Sequence, residues 1–498
     1  MRNPRRSLFI AASLFAPAAC SHRAPPPPQV IAFVAPPTAS APEAPTPVAS
    51  TPPPAPPTPR ELLRAWLATK LPAGGRLVEK DDALAVEHVA AAKATIASIA
   101  ASYLELTNAY ASVNLENAIL KANPVLRKGT VAEGTVVSIP EIVGEVPRAA
   151  ADSRLGWPKE RALRGIYIPI RFSTPERYVP LLDGAVAQGL NAVVVDAKDV
   201  VGVLNYPSQV PLAVELNMAR FAAIPSLERL VRYTHSRGIR VIARLACFRD
   251  DYVAPRKPKL AVQAFKGGAH YGPKGYVDWL DPANDAVQGY LLAAIDEILA
   301  AGVDELQLDY VRYPTEGSGD ADFHLRDRHL TTPGVITGWV HTVHERTKAA
   351  GVPLSLDVFG IVAWRAQADI DSTGQDLQKL GPEIEAISPM VYPSHFADGF
   401  AGFKVPGDHP EIVAMGTARV VAELKLGGAP DVIVRPWLQA FSYGTTSYGS
   451  RYVAQEMDAA STGGGVGWLA WNAAGEYGPT FAATGERRGG GPATVKGP

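Results

Sequence analysis

Three observations predict an α/β chain whose main part is a (β/α)8 barrel of the TIM type. Eight short apolar runs recur between residues 164 and 472, with helix-length stretches between them. Two of those stretches end in a helix-stop glycine just before the next run, in Ser236-Arg237-Gly238 and Ala300-Ala301-Gly302. Polar residues gather toward the C-terminal ends of the runs, the rim where barrel enzymes keep their active sites.

The runs are Gly165–Pro169, Asn191–Asp199, Arg240–Phe248, Glu305–Pro314, Pro353–Gly360, Ala386–Pro393, Val432–Phe441 and Gly465–Asn472. Helical stretches between them include Tyr178–Gln188, Leu227–Arg237, Asp285–Ala301 and Gly334–Ala350. Repeated strand–helix order implies a parallel sheet. An open doubly wound sheet is the alternative, but the first unit has no Gly-x-Gly-x-x-Gly turn. The barrel is expected over residues 151–480, with a disordered tail at 481–498.

Composition narrows the function. The 498 residues carry 48 Lys+Arg and 49 Asp+Glu, a formal charge of −1. Such balance gives no broad basic face, so no nucleic-acid partner is expected. With 47% hydrophobic and 19% charged residues the chain is globular. Its two cysteines, Cys20 and Cys247, exclude a disulfide framework and a Cys-based zinc site. Cys247 is expected to be a buried free thiol.

Residues 1–20 read as an export signal: Arg2, Arg5 and Arg6, then the short apolar run Ser7–Phe15, then small residues. That run is too short to span a bilayer. Pro17-Ala18-Ala19-Cys20 resembles a bacterial lipobox, with Pro17 where leucine is usual. The resemblance implies lipidation of Cys20, and a cell-envelope protein held to the membrane by its lipid alone. Ordinary cleavage after an Ala-x-Ala site is the alternative. Residues 21–60 hold 15 of the 45 prolines and are expected to form a disordered, extended tether.

A small module is expected over residues 61–150. Arg60–Lys70 reads as a short helix. Residues 86–143 then resemble a LysM domain through His88-Val89, Thr95–Ala100, Leu115–Leu120, Ala122-Asn123-Pro124 and the closing Val137–Pro140. The resemblance implies a βααβ module and peptidoglycan as a partner. Ala92-Lys93-Ala94 replaces the usual Gly-Asp before the first threonine, and extra residues lie around Thr107–Val113.

Period two locates the site, since alternate residues of a barrel strand point inward. In strand four, Gln307 and Asp309 oppose Leu306, Leu308 and Tyr310; in strand five, Ser355 and Asp357 oppose Leu354, Leu356 and Val358. Asp196 and Lys198 share a face of strand two, and Arg435, Trp437 and Gln439 share one of strand seven. Arg244 is a lone charge in strand three, read as a structural ion pair. Parity assigns Tyr310 and Trp468 to the core.

Two carboxyl groups flanking a scissile bond define most glycosidases. Asp309 and Asp357 end adjacent strands, which lie about 4.8 Å apart, so their spacing leans toward a retaining pair. Asp309 is the expected nucleophile and Asp357 the acid/base, with Glu316 as rival acid. Arg312 and Arg435 are alternative ion-pair partners for Asp309. Aromatic faces suit sugar C–H faces, so Tyr392 and Trp437 join Asp196, Lys198, Arg312, His395, Arg435, Gln439 and Asn472 as expected substrate-binding residues. No cofactor is expected, and no residue spacing argues for a metal.

Asp309-Tyr310-Val311-Arg312-Tyr313-Pro314 resembles the signature of a bacterial glycoside hydrolase-type family first catalogued as a domain of unknown function. Asn191–Lys198, Asp357–Gly360, Ser388–His395 and Arg435–Phe441 match its further blocks in order, across residues 160–480. The resemblance implies a barrel related to the α-amylase type, in which a strand-four Asp is nucleophile and a strand-five Glu is acid. Asp357 departs from that pattern. The expected substrate is an extracellular or cell-wall polysaccharide. The alternatives are a non-catalytic glycan-binding lipoprotein on a degenerate barrel and a metal-dependent deacetylase.

Overall fold

The computed structural model describes residues 56–80, 83–272, 275–323, 325 and 328–489. The export signal, Cys20, nearly all of the tether and residues 490–498 lie outside the described residues.

The first described element is a helix, Pro59–Lys70, started by a reciprocal capping box between Thr58 and Glu61. A three-stranded antiparallel sheet follows, in the order Gly75–Lys80, Ala83–Val89, Val136–Ile139. Between its last two strands lie the helices Ile96–Tyr103 and Ser112–Ala122. The chain thus runs strand, helix, helix, strand, with one further hairpin strand in front. Leu67, Val86, Ile99, Leu115 and Val137 form its core. This module is tied to the barrel. Tyr110 Oη donates to the Ser173 carbonyl at 2.7 Å, and Arg229 donates to the carbonyls of Leu104 and Ala109 at 2.7 and 2.6 Å.

The barrel strands are Leu163–Ile168 (one), Ala192–Lys198 (two), Arg240–Ala246 (three), Glu305–Asp309 (four), Leu354–Phe359 (five) and Ala386–Met390 (six). Strand seven comes in two pieces, Ile433–Val434 and Trp437–Gln439, and strand eight is Gly467–Trp471. All neighbours pair in parallel, and strand eight returns to strand one. Proline lacks an N–H, so Pro436 interrupts strand seven. Its first piece pairs with strand six and its second with strand eight, which closes the ring. Arg435 N still reaches the Ile387 carbonyl at 2.8 Å, and the Pro436 carbonyl accepts from Leu469 N at 3.1 Å.

Helices cover the barrel outside, including Asp285–Ala300, Thr332–Ala349 and Glu411–Leu426. Leu306, Leu308, Leu354 and Leu356 face this layer and are wholly buried. Loops after strands three and four share a small antiparallel ladder, Gln263–Ala264 with Ala321–Asp322. One boundary differs from expectation. The helix Gly478–Gly489 occupies the start of the expected tail, because Ala483 and Thr480 are buried and Phe481 packs on the core. Among the described residues no helix is long and apolar enough to cross a membrane.

Candidate active site

Strands four and five are in register at Gln307 with Ser355 and Leu308 with Leu356, so Asp309 and Asp357 end opposite each other as expected. Between them stands Arg244 of strand three. Its Nε lies 3.0 Å from Asp309 Oδ2 and 3.8 Å from Asp357 Oδ2. Its Nη1 reaches Asp196 Oδ1 and its Nη2 reaches Asp309 Oδ2, each at 2.5 Å. Arg244 therefore pairs with Asp309, for which Arg312 and Arg435 were the alternative partners. Tyr167 donates to Asp196 and stacks on Trp471, with ring centroids 3.9 Å apart.

Burial sets the charges here. It pushes Asp196 up from its ordinary range to about 6, although Arg244 opposes the shift. Burial, then the neighbouring Asp309 carboxylate, holds Asp357 well above the usual carboxylate range, which favours its neutral form. Its Oδ1 accepts from Trp437 Nε1 at 2.7 Å, and its Oδ2 has no hydrogen-bond partner. Burial also disfavours the Arg244 charge, but Asp309 and Asp196 outweigh it and raise the guanidinium pKa.

Above this cluster opens a cavity of about 800 Å³ at the C-terminal rim. Among its described lining residues Asp309 and Glu316 are the carboxylates; Tyr310, Tyr392, Trp437 and Trp471 supply aromatic faces; His395 lies on its wall. Burial lowers the His395 pKa, which favours the neutral ring. Tyr310 overturns its parity assignment. It adopts a left-handed backbone, φ 50°, which ends strand four and turns the ring into the cavity wall. Its amide donates to Asp309 Oδ1 at 2.6 Å.

Several expected site residues do other work. Asp357 is 1% exposed and is not part of the cavity wall, so it supports the site from below. Asp196 likewise holds Arg244 from beneath. Lys198 leaves the inner face because a bulge after Asp196 shifts the register; its Nζ lies 3.0 Å from Asp250 and 2.8 Å from the Ala246 carbonyl. Arg435 points to the opposite end of the barrel and forms a bidentate pair with Glu305. Arg312 packs among the Trp279, Tyr310 and Phe359 rings, 4.2 to 5.3 Å from their centroids, and burial lowers its pKa to about 10. Gln439 braces loops: its amide nitrogen donates to the Phe441 and Tyr443 carbonyls, and its side-chain oxygen accepts from Ser394 N. Asn472 donates to the Ala440 and Glu476 carbonyls and also lines a second cavity over strands seven and eight. Among the described residues, no three His, Cys, Asp or Glu side chains are grouped to hold a metal ion.

A closed (β/α)8 barrel with carboxylates and aromatic rings at its C-terminal rim is an architecture of glycosidic-bond-cleaving enzymes. The model of the family described as "Putative glycosyl hydrolase domain" matches residues 165–477. The chain belongs to that family, and its barrel is a glycoside hydrolase domain. The module at residues 59–139 lies outside the match.

Solved structures resemble parts of the chain. A hypothetical protein from Ruminiclostridium thermocellum is 30% identical, covering 39% of this chain and 97% of that one, with a TM-score of 0.35. The PgaB (BpsB) glycoside hydrolase domain from Bordetella bronchiseptica is 13% identical, covering 65% and 97%, with a TM-score of 0.47. The spore cortex-lytic enzyme SleL from Bacillus megaterium is 12% identical, covering 80% and 85%, with a TM-score of 0.38. No curated protein matches the chain.

Proposed function

We propose that the protein hydrolyses a polysaccharide outside the cytoplasm by a retaining, two-carboxylate mechanism. The observation that carries this reading is the rim cavity in which Asp309 and Glu316 are the carboxylates among the described lining residues. Asp309 attacks the anomeric carbon and forms a glycosyl-enzyme, while Glu316 protonates the departing oxygen. Glu316 then takes a proton from water, which attacks the anomeric carbon and releases Asp309. Glu316 takes the acid role expected of Asp357 because it lines the cavity and is exposed. Arg244 fixes the Asp309 carboxylate for attack, and Asp357 positions Trp437 by accepting from its Nε1.

The test is reducing-sugar release from a panel of glycans, with Asp309→Asn and Glu316→Gln beside the wild type and folding checked by thermal melts. Release by wild type alone, with retained configuration by proton NMR of the first product, supports the mechanism. Equal release by Asp309→Asn removes that residue from it, and binding without release by any form returns the chain to a glycan-binding role.

The same proposal places the enzyme in the cell envelope, anchored through lipid on Cys20, with the tether and the LysM-like module holding it against peptidoglycan. Its support is the residue pattern at 1–60 and 86–143. Mass spectrometry of the mature N-terminus reads the anchor. Co-sedimentation of intact Asp309→Asn protein with peptidoglycan reads the wall contact.

A further inference from the structure

A second cavity, of about 550 Å³, lies over the ends of strands seven and eight. Trp471, His395 and Tyr443 line both cavities and form the partition between them. The two are therefore neighbouring compartments of one cleft, with Asp309 and Glu316 in only one of them.

The second compartment has the chemistry of a sugar platform. Phe441, Tyr443, Tyr448 and Trp471 give it apolar rings, and Tyr443 is 71% exposed. The Tyr448 hydroxyl is buried, so this residue offers the cavity its ring. Glu476 lines the same cavity, and its carboxylate makes no hydrogen bond or ion pair among the described residues. A carboxylate acceptor, Glu476, thus stands beside flat apolar faces, a combination that suits a polyhydroxylated ring.

Charge sets what the cleft accepts. No lysine or arginine is among the described residues that line the second cavity. In the first, Arg244 is the one such residue among the described lining, and it faces the Asp309 and Asp196 carboxylates. An acidic sugar would meet Asp309, Glu316 and Glu476 with no free cation opposite.

We propose that the second cavity is a distal subsite for an uncharged or amino-bearing sugar, so that the enzyme acts on chains of such sugars that span both compartments and rejects uronic-acid polymers. This rests on the hydrolase reading above. Glu476 accepts from a hydroxyl or ammonium, and Tyr443 and Trp471 carry the ring face.

The experiment compares disaccharides through octasaccharides of glucose, glucosamine, N-acetylglucosamine and galacturonic acid. Initial rates are measured with wild type, and binding by calorimetry with Asp309→Asn. Long neutral or amino chains should be preferred over short ones by kcat/KM, with galacturonic acid oligomers neither bound nor cleaved. Glu476→Gln and, separately, Tyr443→Ala should each cut the long-over-short preference by about tenfold. Tyr443 is largely exposed, so its variant keeps the test open if Glu476→Gln folds poorly. Cleavage indifferent to chain length and to both variants overturns the subsite and leaves the hydrolase standing. Length-dependent binding without cleavage by wild type overturns the hydrolase and keeps the subsite. Neither binding nor cleavage of neutral or amino oligomers overturns both, and preferred binding of galacturonic acid oligomers overturns the charge assignment.

Discussion

The two ends of the barrel each bury an arginine among carboxylates, with different results. At the N-terminal end, Arg435 grips both oxygens of Glu305, and Trp157 Nε1 adds a third bond at 2.7 Å. Both Arg435 and Glu305 are wholly buried, and neither lines a cavity described above. At the C-terminal end, Arg244 holds Asp309 and Asp196 in much the same way, but Asp309 opens onto the large cavity. Asp357 Oδ2 there has no hydrogen-bond partner. One chemistry closes the floor and presents a carboxylate at the rim. A buried ion pair is therefore no sign of function by itself; its access to a cavity is what separates the two.

Substitutions can break this contrast. The largest effect is expected at the rim: Asp309→Asn should lower kcat/KM by about a thousandfold, read by reducing-sugar release. Next, Arg435→Met leaves Glu305 buried without its partner and should cost about 3–5 kcal/mol, read by urea denaturation. Activity per folded molecule should hold. The double change Arg435→Met with Glu305→Leu should recover most of that loss, since apolar replacement of a whole buried pair is often neutral. Recovery would confirm the floor pair as structural, and a thousandfold activity loss in the double variant would erase the contrast.

A smaller effect is expected from pH. The Asp196 pKa is higher in the folded chain than in the unfolded one. Its contribution to stability is therefore full below its unfolded value, about 3.9, and is lost as pH rises through about 6. Asp196→Asn should flatten that part of the melting temperature profile between those two values. An unchanged slope would show that Asp196 does not keep its raised pKa in solution. Smallest of all, Tyr110→Phe removes one hydrogen bond between module and barrel and should cost about 1 kcal/mol, read by the same denaturation.

Much of this barrel was legible because period two survives wherever a strand stays regular. Strand four shows it: Leu306 and Leu308 face the helices, and Gln307 and Asp309 face inward. Where the backbone departs from regularity, the reading fails. A bulge carries Lys198 off the inner face of strand two. The left-handed Tyr310 brings a residue assigned to the core onto the cavity wall. The interruption at Pro436 is visible in sequence, yet which end of the barrel Arg435 joins depends on Glu305, which lies 130 residues away. Glu476 and Tyr448 were not singled out, because single polar residues on loops carry no periodic signal.

The sequence by itself determined the eight-strand order, the parallel sheet, and the rim on which Asp309 and Asp357 face each other, because these follow from local alternation and from strand pairing. Only the tertiary structure decided which carboxylates open onto the cavity, that Arg244 is the common partner of Asp309 and Asp196, and that Gln439 and Asn472 brace loops. Those outcomes depend on distances between residues from different strands and loops, which the local period of any one segment does not encode.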